Sequence, residues 1–173
     1  RTTSSAASDV YKRQIYEVPV KLHSQGILTQ LYNHYDVKKI PKLNQKPWKS
    51  FINKFTNLKK DVDVTIVGKY TNLSESYKSL NEALFHSGIK NNIKVNVKWL
   101  DSRIFEDYNK SKKILSNTNG ILVPGGFGKD GSIGKENAIR VARKMKIPFL
   151  GICFGMQLCI IAVSYTHLTL PTK

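Results

Sequence analysis

An α/β fold on an open, mostly parallel, doubly wound sheet is what this chain predicts, and three observations carry the reading. From Asp61 onward, apolar strand-like runs alternate with stretches of helical period. Two of those runs end in glycine-rich loops, Pro124–Gly128 and Gly151–Gly155. The second loop leads the apolar run Ile147–Leu150 straight into the start of a helix. Strands and helices that alternate over short connections make right-handed crossovers, and these build a parallel sheet covered on both faces.

The two ends are read apart from the fold. Ser4–Gln14 can be encoded by a DNA string whose reverse complement, in a shifted frame, encodes Val163–Thr172. Unrelated peptide tails seldom share one double-stranded segment, and the string looks like a transposase-based sequencing adapter. Residues 1–14 and 163–173 are therefore expected to be adapter-derived and are set aside, as a fusion scar would be.

Residues 15–58 are mixed in character. Tyr16, Val18 and Val20 alternate as in a short strand, and Gly26 interrupts the chain soon after them. Ile27, Leu28 and Leu31 then recur at helical spacing, with Ser24 as a candidate cap. Pro41, Pro47 and the Lys/Asn/Gln-rich stretch between them read as a linker, with Trp48, Phe51 and Phe55 pinning an amphipathic helix onto a neighbour. A segment this short holds no substantial core of its own.

Residues 59–162 are regular. Val62, Val64, Ile66 and Val67 form a strand that ends at Gly68. Ser74 or Ser76 is expected to cap a helix whose Tyr77, Leu80, Ala83 and Leu84 share one face, with Gly88 just past its end. Ile93, Val95, Val97 and Trp99 alternate strictly, as in a half-exposed strand. A helix over 103–115 comes next, then a buried strand at Gly120–Val123. Ala138, Val141, Ala142 and Met145 mark a further helix before the strand that leads to Cys153.

The turn Gly151-Ile152-Cys153-Phe154-Gly155-Met156-Gln157 is where chemistry is expected. A sharp strand-to-helix turn lifts one side chain above the sheet edge, and flanking glycines remove the Cβ atoms that would crowd it. The helix behind it offers unpaired backbone N–H groups, and its positive end favours an anionic nucleophile. Pro124-Gly125-Gly126-Phe127-Gly128 ends the neighbouring strand, so both loops open on one crevice. A glycine there can aim its N–H inward and, with the N–H after the cysteine, form a two-donor oxyanion hole. Cys159 lies among Leu158, Ile160 and Ile161 and reads as core.

Val67-Gly68-Lys69-Tyr70, the Pro-Gly-Gly-Phe-Gly loop and the Cys153 loop resemble the CTP synthase family, in the first half of its class I glutaminase domain. Ile15-Tyr16-Glu17-Val18-Pro19, with Ser24-Gln25-Gly26 soon after it, resembles the closing stretch of that family's synthetase domain. The Cys loop alone marks the wider class I amidotransferases. Its order and spacing with the other segments point to this family. The resemblance implies a truncated flavodoxin-like domain, with 15–58 the end of the synthetase domain and 59–162 the start of the glutaminase domain.

On that resemblance Cys153 is the nucleophile that takes the side-chain carbonyl of glutamine to a thioester and releases ammonia. Gly126 and Phe154 are the implied oxyanion donors, Gly125 shapes the loop, and Phe154, Gly155, Met156 and Gln157 line the glutamine pocket. Lys69 stands where the family responds to GTP. Beyond Gly128 the family usually carries an arginine in a lid over the site. Here Lys129, Asp130 and Lys135 occupy that stretch, and Asp130 inverts the charge. The implied partners are glutamine, UTP, ATP and GTP as activator, in homotetramers of whole chains. Magnesium and ATP belong to the whole enzyme, and no cofactor or metal is expected in this segment. The family's His-x-Glu pair would come after the last residue here, so the chain by itself is expected to be inactive. Another class I glutaminase, a flavodoxin-like cysteine hydrolase and a nucleotide-sensing pseudoenzyme are the alternatives.

Composition narrows the remaining classes. The net charge is +16, and without Arg1, Lys12, Arg13, Lys173 and Asp9 the remaining 24 basic and 11 acidic residues still leave +13. The lysines are scattered among Asn and Ile rather than striped, so nucleic acid is not the expected partner. No apolar run approaches the roughly 20 residues that span a bilayer. Two cysteines, Cys153 and Cys159, are too close to frame a disulfide scaffold, and a reducing cytoplasm is expected.

Overall fold

The computed structural model describes residues 3–38, 42–69, 77–126 and 131–167. The chain divides into two compact units, Arg1–Lys59 and Lys60–Lys173.

In the first unit, α1 (Thr3–Ser24), α2 (Ile27–His34) and α3 (Lys46–Thr56) are all helical. The strand expected at Tyr16, Val18 and Val20 is not formed: these residues lie inside α1, with Pro19 in its interior. Tertiary packing overrides the local alternation. Tyr16 sets its ring against Phe51 at 5.2 Å and Trp48 at 6.2 Å, and the Trp48 indole N–H donates to the Tyr16 carbonyl at 2.8 Å. No residue of α2 or α3 is fully buried. Pro47 opens α3, where its missing N–H costs nothing.

The second unit holds β1 (Lys60–Gly68), α4 (Lys78–Asn91), β2 (Ile93–Asp101), a 3₁₀ turn (Ser102–Phe105), α5 (Tyr108–Leu115), β3 (Gly120–Val123), α6 (Ser132–Met145), β4 (Phe149–Gly151) and α7 (Phe154–His167). Its four strands are ordered β2-β1-β3-β4, and every pair is parallel. The expected doubly wound α/β sheet is what the chain forms. Ile66 and Val67 of β1 and Ile121, Leu122 and Val123 of β3 are buried, as central strands covered on both faces should be. Phe105, Leu115, Ala138, Val141, Ala142, Leu158 and Ala162 complete the core from the helical side. Cys159 packs against that cluster.

Local differences from the sequence reading have physical causes. Gly88 does not end α4; it lies buried inside it, where a Cβ would collide with the Ile93 carbonyl oxygen and press on Val95 at 3.0 Å. The glycine lets the helix lie close on β2, and Asn92, left-handed at φ 59°, ends it. Ser74 and Ser76 lie outside the described residues. The single helix expected over 103–115 is split, because the Asp101 carboxylate caps a 3₁₀ turn and Asp107 then caps α5. Asn137 of α6 ties that turn down, donating to the carbonyls of Phe105 at 2.9 Å and Glu106 at 2.8 Å.

Candidate active site at the carboxyl ends of the strands

Because the strands are all parallel, their carboxyl ends share one edge of the sheet. Lys69, Ser102, Pro124–Gly126 and Ile152–Cys153 come directly after those ends. β1 pairs with β2 on one side and β3 on the other, so the order in which strands are added switches between β1 and β3, the place where open α/β sheets bind ligands.

Cys153 sits at the sharpest point of this edge. Its φ is +52°, a left-handed conformation that non-glycine residues rarely hold without compensation. The compensation is in the hydrogen bonds around it. Ile152 N–H donates to the Val123 carbonyl at 3.0 Å, Gly155 N–H to the Ile152 carbonyl at 3.0 Å, and Gln157 N–H to the Cys153 carbonyl at 3.1 Å. The elbow is thus pinned to β3 on one side and to the first turn of α7 on the other.

Packing explains the glycines that bracket it. A Cβ on Gly151 would stand 2.7 Å from the Gly155 backbone, and one on Gly155 would strike the Val123 carbonyl. With both absent, strand, elbow and helix close on one another and the cysteine side chain is turned outward, exposed.

The second loop meets it there. The direction in which a Cβ would leave Gly125 points at Cys153, 3.4 Å from its Cβ and 3.9 Å from Sγ. The same direction from Gly126 points at the Lys135 ammonium, 3.3 Å away. Lys135 is 2% exposed, and its Nζ lies 5.2 Å over the Phe154 ring. Phe154 opens α7, so its own N–H belongs to the set a helix start leaves without an intrahelical partner. Cys153, Gly125, Gly126, Phe154, Gly155 and Lys135 are therefore brought to one place. Met156 and Gln157 lie exposed on the first turn of α7. Such an arrangement can expose a thiol nucleophile beside backbone donors and a fixed cation.

The other half of the edge is built by β1 and β2. Gly131, left-handed at φ 72°, presses against Ser102, and the Lys69 chain passes beside the same glycine. Tyr77 donates to the Lys69 carbonyl at 2.9 Å, and its ring lies 4.4 Å from that of Trp99. Arg103 forks onto Asp101 at 3.0 and 2.7 Å. Those side-chain bonds hold the Asp101 carboxyl below the usual carboxylate range against the opposing effect of burial, with a backbone bond from Arg103 and a smaller pull from Lys69. Sequence reasoning missed Ser102, Asp101 and Arg103; their place at the end of a parallel strand was the signal that could have found them. Ser102 is fully buried, and its hydroxyl has no hydrogen-bond partner among the described residues. Tyr70, Phe127, Gly128, Lys129 and Asp130 lie outside the described residues.

A histidine partner for the thiol is not assembled by the described residues of this unit. His86 is on α4, which packs on β2 at the far edge of the sheet from β4, and its Nε2 faces Glu82 at 4.0 Å.

A family profile for class I glutamine amidotransferases matches residues 72–169. The chain belongs to the class I glutamine amidotransferase family. Among its relatives it is similar to the CTP synthase of Azospirillum brasilense, 46% identical over 156 residues, which are 90% of this chain and 28% of that protein. The CTP synthase of Pelagibacter ubique is 45% identical over 158 residues, 91% of this chain and 29% of that one. The chain thus spans less than a third of the curated relatives it matches. The glutaminase domain of Trypanosoma brucei CTP synthase, solved with bound acivicin, superposes with a TM-score of 0.58 at 34% identity, covering 62% of this chain and 42% of that one.

Proposed function

We propose that this chain carries the nucleophile-bearing half of the glutaminase of a CTP synthase, an enzyme that aminates UTP to CTP with ATP and ammonia drawn from glutamine. Family membership and the similarity to CTP synthases support the reading. The observation that carries it is the exposed Cys153 held at φ +52° with Gly125 against it.

The chemistry rests on that geometry. The thiolate sulfur attacks the side-chain amide carbon of glutamine, and the carbonyl oxygen takes up negative charge beside the N–H groups of Gly126 and Phe154. Collapse breaks the C–N bond, and the nitrogen leaves as ammonia after receiving a proton from a general acid. Water then cleaves the thioester to glutamate and free thiol. Glycine at 125 keeps the approach to Sγ open, and Gly155, Met156 and Gln157 border the glutamine pocket.

The proton-transferring histidine and its carboxylate are supplied from outside the described residues. The described residues by themselves are therefore expected to show no glutamine hydrolysis. Magnesium and ATP are proposed to act in the whole enzyme, and no step through them is assigned to the described residues. Lys69, Lys129, Asp130 and Lys135 are proposed to tune the response to GTP and lid closure, and whole chains to form homotetramers. A cytoplasmic location is proposed from the thiol chemistry, and among the described residues no helix is long and apolar enough to cross a membrane.

The experiment is covalent labelling. A glutamine-mimicking electrophile should modify Cys153 in the chain, free glutamine should protect it, and Cys153→Ala should abolish the adduct. Labelling that glutamine does not slow would point to a cysteine hydrolase of another specificity. Glutamine hydrolysis by the chain alone, lost in Cys153→Ala, would refute the assignment of the missing base.

A further inference from the structure

Lys135 is the buried charge that the thioester chemistry does not use. Lysine is among the residues least often fully buried, because removing an ammonium from water is costly unless the surroundings compensate. Here the side chain is 2% exposed and runs from the first turn of α6 toward the catalytic loops. Its Nζ lies 3.3 Å from where a Gly126 Cβ would stand and 5.2 Å over the Phe154 ring. Those two residues flank the nucleophile from opposite loops. One comes after β3 and the other opens α7 directly after Cys153.

We infer that Lys135 is a positioning residue of the site: its ammonium holds the Gly126 loop and Phe154 in register and sets a fixed positive potential where negative charge gathers at Cys153. Cation–π attraction to Phe154 fixes where the charge sits. Glycine at 126 is what lets the ammonium come so near, since any side chain there would meet it. Because Lys135 is buried, its charge is screened less by solvent than that of a surface lysine. The anion that benefits is the tetrahedral adduct of an amide. That last point rests on the glutaminase reading; the potential itself does not.

A pair of alkylating reagents reads the potential without any turnover. Iodoacetate carries a negative charge and iodoacetamide is neutral, yet both attack the same sulfur. The ratio of their rates at Cys153, measured by peptide mapping in the full 173-residue chain, reports local charge rather than access or thiolate fraction. In 0.5 M salt the Debye length falls to about 4 Å, which removes the contribution of the chain's scattered surface lysines. Lys135→Met should lower the iodoacetate-to-iodoacetamide ratio by about threefold or more, and Lys135→Arg should restore most of it. A ratio unchanged in a folded Lys135→Met chain overturns the inference.

Should Lys135→Met fail to fold, Lys135→Gln, which keeps a polar end without the charge, takes its place. A lowered ratio in that folded variant supports the inference and an unchanged one overturns it. Labelling by the glutamine-mimicking electrophile separates the two claims. Its failure with the ratio effect intact would remove the glutaminase reading and leave Lys135 in its role.

Discussion

Gly125 faces Cys153 so closely that a methyl group added to it would stand 3.4 Å from the cysteine Cβ and 3.9 Å from Sγ. These are contact distances without overlap, so the loop can accept alanine. The thiol loses part of its open approach instead. Gly125→Ala is expected to change stability by no more than about 0.5 kcal/mol. Alkylation of Cys153 should slow by a few-fold, and Gly125→Val, with a branched Cβ, should slow it much further. Urea unfolding and the rate of labelling by a neutral reagent measure the two effects separately. Equal labelling rates in all three proteins would show that reagents reach Sγ from another side.

Gly155 makes the opposite case. Its missing Cβ would fall on the Val123 carbonyl oxygen and 2.9 Å from the carbonyl carbon, both backbone atoms of a buried strand. Nothing flexible can move aside. Gly155→Ala should destabilise the chain by about 1–3 kcal/mol, the usual range for overpacking. Because Ile152 N–H donates to that same Val123 carbonyl, the variant should also displace the elbow and change the reactivity of Cys153. Thermal unfolding with parallel labelling checks both. A variant of unchanged stability would mean that α7 is not seated against β3 as described.

Acid stability should register the Asp101–Arg103 pair. The Asp101 carboxyl is held below its ordinary value, first by the side-chain hydrogen bonds from Arg103. A carboxyl depressed in the folded chain contributes stability above its unfolded pKa of about 3.9 and loses it as pH falls through the folded value. The contribution is therefore fully present at neutral pH and fades below about pH 4. Asp101→Asn should lower Tm at pH 7, with the gap to the unaltered chain narrowing as pH falls toward 3. The aspartate also accepts the Arg103 backbone N–H at 2.9 Å, and asparagine keeps that cap, so the pH-dependent part is isolated. A gap independent of pH would rule out the ionic origin.

The sheet and the thiol turn were legible in the sequence because their signals are local. Val62, Val64, Ile66 and Val67 lead into Gly68, and Gly120–Val123 is a short apolar run, patterns that mark strands with little further information. The Gly-x-Cys-x-Gly turn could be read because each glycine answers to a backbone collision that any Cβ would cause. Tyr16, Val18 and Val20 misled because three alternating residues carry no information about the aromatic cluster with Trp48 and Phe51 that holds them as helix. Gly88 misled for a related reason: a glycine demanded by helix-on-strand contact looks the same as one that ends a helix. The burial of Lys135 and the junction of Ser102 with Gly131 were out of reach, since both arise where segments distant in sequence meet.

Strain at the nucleophile gives the last test. Cys153 at φ +52° occupies a region where a side chain costs on the order of 1 kcal/mol or more relative to an unstrained position. Glycine enters that region freely, though it also gains freedom in the unfolded chain, which offsets part of the benefit. Exposure of the thiol means that little packing is lost on its removal. Cys153→Gly is therefore expected to raise stability by about 0.5–1 kcal/mol, while Cys153→Ala, still strained and with less side chain, should not. Denaturant midpoints for the three proteins measure the order. If alanine stabilises as much as glycine, the gain comes from losing the sulfur and not from releasing the backbone. The predicted order would instead mean that the fold holds Cys153 at a cost in stability, as expected where a conformation is kept for chemistry.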